Sequence, residues 1–170
     1  YAREGNEVAR WLNENGIAAI VLRYRMPNGH HQIPIADYAQ AMRIARKNAG
    51  QWGINPHQIG VMGFSAGGHL ASTAAVQTDE AIRPDFAILI YPVITMDGPY
   101  LQIDTRNNLL GSNPDQSLIE KYSTEIQITS KTAPCFIALS DDDDLVHPRN
   151  STLFYDSLRA KGVSAELHIY

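Results

Sequence analysis

The chain has 170 residues, enough for one domain with a sizeable core. Apolar residues make up 44% and charged residues 19%, a balance that excludes a disordered or fibrous chain. The net charge of −4, with acids and bases interspersed, leaves no basic stripe for nucleic acid. No apolar run approaches the roughly 20 residues that span a bilayer, so neither nucleic acid nor membrane is an expected partner. The single cysteine, Cys135, cannot form an internal disulfide and reads as a buried structural thiol at the head of an apolar run.

Residues 3–15 place Val8, Trp11 and Leu12 at i, i+3, i+4, and Asn15-Gly16 stops that helix. Ile17 to Leu22 is a continuous apolar run, the pattern of a strand covered on both faces. Residues 23–34 hold Pro27, Asn28-Gly29 and the pair His30-His31, and read as a surface loop. Residues 35–52 carry a helical stripe of Ile35, Tyr38, Ala39, Met42, Ala45, Ala49 and Trp52. Asn55-Pro56 breaks the chain, and Ile59 to Gly63 is the next strand. Residues 66–77 form an alanine-rich helix, and Phe86 to Tyr91 a buried strand.

Residues 92–133 are irregular, with one short helix around 115–120. The excursion is longer than an ordinary crossover, so a cap or part of a substrate pocket is expected there. Pro134 to Leu139 is a strand that ends in Ser140 and the four aspartates Asp141 to Asp144. A helix over 149–161 stops at Gly162, and Ala165 to Tyr170 is the last strand. Five strands alternating with helices predict an α/β fold, a doubly wound and mostly parallel sheet with right-handed crossovers, in a single domain over 1–170.

One stretch carries chemistry. Gly63-Phe64-Ser65-Ala66-Gly67 follows an apolar strand and opens a helix of small residues, the context of a nucleophile elbow. The serine then sits at the tip of a sharp turn, with Gly63 and Gly67 leaving room where side chains would strike the neighbouring strand or helix. Its Oγ projects above the sheet edge, and the N–H of Ala66 points to where an oxyanion would form.

A serine hydroxyl needs a base, and the base needs an acid to hold its tautomer. In this type of sheet the order is serine, acid, histidine. The acid is sought among the four aspartates. Asp143, four residues before His147 and just ahead of Pro148, is the choice, with Asp142 the alternative. Neighbouring residues of an extended turn point apart, so the run does not read as a metal site and no metal is expected.

The histidines fit the base position poorly. His30 and His31 precede the serine in a loop and read as a solvated pair, and His57 lies in a turn. His69 stands one helical turn after Ser65 and reads as structural. His147 is too close to Asp143, and His168 lies inside a strand.

The run Gly63 to Ser72, Gly-Phe-Ser-Ala-Gly-Gly-His-Leu-Ala-Ser, resembles the α/β-hydrolase carbohydrate esterases. More narrowly it is similar to the acetyl xylan esterase and acetylesterase group, related to dienelactone hydrolases. Val21 to Arg25, Tyr91 to Ile94, Leu109 to Gly111, Val146 to Ser151 and Glu166 to Tyr170 extend the likeness over nearly the whole chain.

The resemblance implies a serine ester hydrolase with Ser65 as nucleophile, the Ala66 N–H as half of the oxyanion hole, and the acid at Asp143. It implies an acetylated sugar or xylan as substrate, no cofactor, and a secreted or periplasmic home. The family's glycine-rich oxyanion loop would precede Tyr1, and its catalytic histidine would follow Tyr170. An internal piece of a longer α/β-hydrolase, without the first strands and the last loop, is therefore expected, and alone it should be nearly inactive. A peptidase of the prolyl-oligopeptidase kind and a degenerate, non-catalytic hydrolase domain are the alternatives.

Overall fold

A π-helical turn over Ala2–Glu7 runs directly into α1, Val8–Glu14. Asn15 ends the helix by donating from Nδ2 to the Trp11 carbonyl at 2.8 Å, and Gly16 follows in the left-handed region with φ of 76°. The computed structural model describes residues 2–77 and 79–170.

Ile17 to Leu22 is not a strand, contrary to the expectation from its apolar run. Among the described residues it pairs with no ladder, and Ile17 and Ile20 are 51% and 62% exposed. An apolar run supplies the propensity for a strand, but backbone pairing makes one. The described sheet therefore has four strands where five were expected.

The loop that follows is tied to α2, Gln32–Trp52, through Asp37. The Asp37 carboxylate accepts from the Arg25 backbone N–H at 2.8 Å and from its guanidinium at 2.6 Å, which holds the acid below its usual range. α2 starts three residues earlier than its stripe suggested. Pro34 fits because it stands in the first turn, where its missing N–H has no intrahelical partner to lose. Tyr38, Met42, Ala45 and Ala49 form the buried face, and Gly53 closes the helix at φ of 66°.

Next come β1, Val61–Phe64; α3, Ser65–Ala75; and β2, Ala87–Ile90. The long excursion holds α4, Ile103–Leu110; α5, Gln116–Tyr122; and a 3₁₀ turn, Thr124–Ile126. β3, Cys135–Leu139, α6, Arg149–Ala160, and β4, Ala165–Ile169, complete the order.

The strands pair in sequence order and all run parallel. Gly63, Leu89, Ile137 and Leu167 stand side by side across the sheet. Consecutive right-handed crossovers stepping in one direction put their helices on one face. There Ala71 and Ala75 of α3 and Phe154 and Leu158 of α6 cover Ala87, Leu89, Cys135 and Ile137. Cys135 is buried as expected, and burial pushes its thiol up to about 12.

The excursion, joined by Val146 from the loop after β3, builds a second core from Val93, Met96, Leu109, Leu110 and Tyr122. Asn150, fully buried at the start of α6, fastens this layer to the sheet. Its Oδ1 accepts from the N–H groups of Ile94 and Thr95, and its Nδ2 donates to the carbonyls of Tyr100 and His147. Every polar atom of that side chain is satisfied, so the excursion is held over the carboxyl ends of the strands.

Candidate active site

Ser65 sits at φ of 51°, a left-handed conformation that serine rarely adopts, directly after the extended Phe64. The turn is sharp because strand and helix share no linker: β1 ends at Phe64 and α3 begins at Ser65. Gly63 makes this possible, since a Cβ there would lie 2.2 Å from the Gly67 carbonyl oxygen and 2.9 Å from the Ala71 Cβ.

Gly67 does not have the crowding expected of it. A Cβ at Gly67 would meet only the Tyr24 hydroxyl, at 3.9 Å. The crowded position is Gly68, where a Cβ would fall 2.8 Å from both Cα and Cβ of Pro92. The motif's last glycine faces the loop carrying Tyr24, and the glycine after it faces the packed segment beyond β2.

Ser65 is half-buried, and its Oγ has no hydrogen-bond partner among the described residues. Ala66 is exposed beside it, in the first turn of α3. First-turn N–H groups lack intrahelical acceptors and lie at the positive end of the helix dipole. The Ala66 N–H is thus a donor suited to negative charge developing beside Ser65.

Tyr91 stands at the carboxyl end of β2, also strained, with φ of 37°. Its ring packs on Phe64 at 5.9 Å between centroids, and its hydroxyl donates to Glu4 Oε1 at 3.1 Å. Burial, then Glu4, then the charge of Asp143 push its phenol up to about 12. Because β1 and β3 run parallel, Asp143, just beyond the carboxyl end of β3, lies at the same sheet edge as Ser65.

Of the four aspartates, only Asp143 is half-buried; Asp141, Asp142 and Asp144 are exposed. Asp143 Oδ1 accepts the N–H groups of Leu145 and Val146, both at 2.9 Å, which fixes the carboxylate. Its Oδ2 accepts no hydrogen bond from the described residues. Asp142 instead turns back and accepts the Ser140 hydroxyl. Among the described residues no three His, Cys, Asp or Glu side chains gather as a metal site.

None of the six histidines bonds to Ser65 Oγ among the described residues. His69 is fully buried and donates from Nε2 to the Tyr122 carbonyl at 2.8 Å, while desolvation lowers it to about 4. His147 accepts the Arg149 N–H at Nδ1 and packs on Tyr100. His168 stacks on Phe136 and lies 3.3 Å from Glu166 Oε2. It sits on β4, three strand spacings from β1 or about 14 Å, beyond hydrogen-bond reach of the elbow. His57 is exposed in its turn. The pair His30-His31 is not uniformly solvated: His30 is exposed, but His31 is half-buried with Nδ1 2.8 Å from the Tyr122 hydroxyl.

A cavity of about 190 Å³ opens beside Ala66. One wall is α3, through Ala66, Leu70 and Thr73. The loop bearing Tyr24, Met26, Pro27 and His31 faces it, and α4 closes it with Asp104, Thr105 and Asn108. The excursion thus lines a pocket, as its length suggested. The helix that does so, α4, was not foreseen from the sequence. Its signals were there: Gln102 caps it by accepting the Thr105 N–H at 2.7 Å, Asp104 lies in its first turn, and Gly111 follows Leu110.

A profile of the BD-FAE family matches residues 2–88, or 87 of the 170. An acetylxylan esterase of Xylanibacter ruminicola is 40% identical over 98% of this chain, and an endo-1,4-beta-xylanase B of Butyrivibrio fibrisolvens is 35% identical over 99%. The chain spans 36% and 29% of those two proteins. Among solved structures, an acetyl ester-xyloside bifunctional hydrolase from Caldicellulosiruptor lactoaceticus superposes with a TM-score of 0.93 at 38% identity. That match covers all of this chain and 66% of the other. A sugar hydrolase from Lactococcus lactis gives a TM-score of 0.80 at 26% identity. The architecture is that of an α/β-hydrolase.

Proposed function

The chain belongs to the BD-FAE family, and from that premise we propose that it carries the nucleophile and acid of a serine carboxylic-ester hydrolase that deacetylates sugars or xylan. The observation that carries this is Ser65, at φ of 51° between strand and helix, half-buried with an unengaged Oγ and a first-turn N–H beside it. Ser65 Oγ attacks the ester carbonyl carbon and loses its proton to a histidine base. The carbonyl oxygen takes up the negative charge and is stabilised in part by the Ala66 N–H. The intermediate collapses to an acyl-enzyme, and the sugar hydroxyl leaves with that proton. Water, activated by the same base, then releases acetate.

Asp143 orients the histidine. Its Oδ1 is engaged by two backbone N–H groups, which leaves Oδ2 to accept from an imidazole. None of the described histidines bonds to Ser65 Oγ, so the base and the second oxyanion donor are assigned to residues outside these 170. Serine, base and oxyanion donors suffice for acyl transfer without a cofactor. The substrate class follows the similarity to the acetylxylan esterase and the acetyl ester-xyloside hydrolase.

The test is hydrolysis of acetylated xylan and of 4-nitrophenyl acetate by the full-length protein, with Ser65→Ala as the control. Acetate release that disappears in Ser65→Ala supports the proposal. Cleavage of prolyl peptides without acetate release would point to the peptidase alternative.

A further inference from the structure

We infer that the cavity beside Ala66 is a sugar subsite, in which Asp104 and Asn108 read the hydroxyl edge of one pyranose ring of the alcohol being deacetylated. The inference rests on the esterase proposal for Ser65 and goes beyond it by naming which surface selects the substrate.

About 190 Å³ is the share of roughly six water molecules at 30 Å³ each, far more than a two-carbon acyl group fills. It is also below the roughly 300 Å³ at which pockets for drug-sized ligands begin. One six-membered ring is the scale that fits.

The lining then sets the chemistry. Tyr24, Met26, Pro27 and Leu70 offer C–H and ring surface, against which the apolar faces of a pyranose pack. On the other side Asp104 and Asn108 stand one turn apart on α4, so their side chains share one face of that helix. Neither side chain has a hydrogen-bond or ion-pair partner among the described residues, and both are exposed at the cavity. A carboxylate accepts from hydroxyls and a carboxamide both donates and accepts, the pairing that adjacent sugar hydroxyls require. An acyl methyl group would use none of it.

The site is also held in shape before any ligand arrives. The loop facing α3 is pinned to α4 by the Gly29 N–H, which donates to the Asn108 carbonyl at 2.8 Å. It is pinned to α5 by Tyr122, whose hydroxyl lies 2.8 Å from His31 Nδ1 and donates to the His31 carbonyl at 3.2 Å. The Asn28-Gly29 tip, with φ of 46° and 82°, makes the tight turn that these two ties require. A preorganised pocket does not expend binding energy on ordering itself. Because α3 carries both Ser65 and the cavity wall, a ring bound there is held at a fixed distance from the nucleophile.

The experiment measures selectivity in the full-length protein: kcat/KM on acetylated xylobiose divided by kcat/KM on 4-nitrophenyl acetate, for wild type and for Asp104→Ala/Asn108→Ala. Loss of two hydrogen bonds to a bound ring should lower this ratio about tenfold or more. In parallel, xylobiose is titrated into Ser65→Ala and into Ser65→Ala carrying both α4 substitutions, followed by NMR. Weakening of xylobiose binding by a similar factor supports the subsite. Asn108→Leu, which keeps the helix and the Gly29 contact to its backbone carbonyl, serves as a second variant should the double substitution unfold.

An unchanged ratio together with unchanged xylobiose binding would overturn the subsite while leaving the esterase proposal standing. A wild-type protein that releases acetate from neither ester would overturn the esterase proposal, and the subsite with it.

Discussion

The carbonyl oxygen of Ser65 accepts the Val93 N–H at 3.1 Å, tying the strained elbow to the segment that leaves β2. The serine is held in its left-handed conformation by backbone contacts rather than by its hydroxyl, whose oxygen is left free to react. A non-glycine residue in that conformation stores about 1–2 kcal/mol. Ser65→Gly should therefore abolish acyl transfer yet raise the melting temperature by a few degrees. A lower melting temperature for Ser65→Gly would show that the hydroxyl itself supports the fold.

The three glycines of the elbow should respond with different signs. Gly63→Ala drives a Cβ to 2.2 Å from the Gly67 carbonyl and should cost about 3 kcal/mol or more. Gly68→Ala, 2.8 Å from Pro92, should cost about 1–3 kcal/mol. Gly67→Ala meets only the Tyr24 hydroxyl at 3.9 Å and lies in a helix, so it should stabilise by up to about 1 kcal/mol. Chemical denaturation of the three variants ranks them, and a Gly67→Ala protein as damaged as Gly63→Ala would refute the geometry.

The aspartates separate by exchange for asparagine. Asp143→Asn in the full-length protein should lower kcat about 10⁴-fold, by favouring the wrong histidine tautomer. Asp142→Asn should stay within a few-fold of wild type, because Asp142 is exposed and engaged by Ser140. Steady-state kinetics decide, and the reverse ranking would move the acid to Asp142.

His69 gives the stability a pH dependence whose sign is fixed by burial. Its folded value, about 4, lies below the ordinary 6.5, so the unfolded chain takes up the proton first as pH falls. Above pH 6.5 the residue is neutral in both states and contributes no slope. Between pH 6.5 and 4 it should remove stability on the order of 3 kcal/mol, with no further loss below. His69→Gln keeps a donor for the Tyr122 carbonyl but does not titrate, so its urea midpoint should fall less steeply over that window. Equal slopes for the two proteins would mean that His69 is not the group responsible.

Much of this architecture was legible in the residues. The elbow declared itself because a Gly-x-Ser-x-Gly sequence between strand and helix leaves few other conformations, and the α/β alternation followed from runs such as Ala87–Ile90 and Cys135–Leu139. Three failures have a physical cause. Ile17 to Leu22 has strand composition but no paired neighbour among the described residues, and pairing is a tertiary fact that local pattern does not encode. The helix α4 carries charges and amides on most of its surface, with only Leu109 and Leu110 buried, so its apolar stripe was too short to see. Gly68 escaped notice for a similar reason. Its clash is with Pro92, 24 positions away, whereas the motif drew attention to Gly67.

The most direct test of the nucleophile is the intact mass of the full-length protein after treatment with a fluorophosphonate. One adduct is expected, mapped to Ser65 by peptide sequencing and absent from Ser65→Ala. An adduct that persists in Ser65→Ala, or one that maps to another residue, would contradict that assignment.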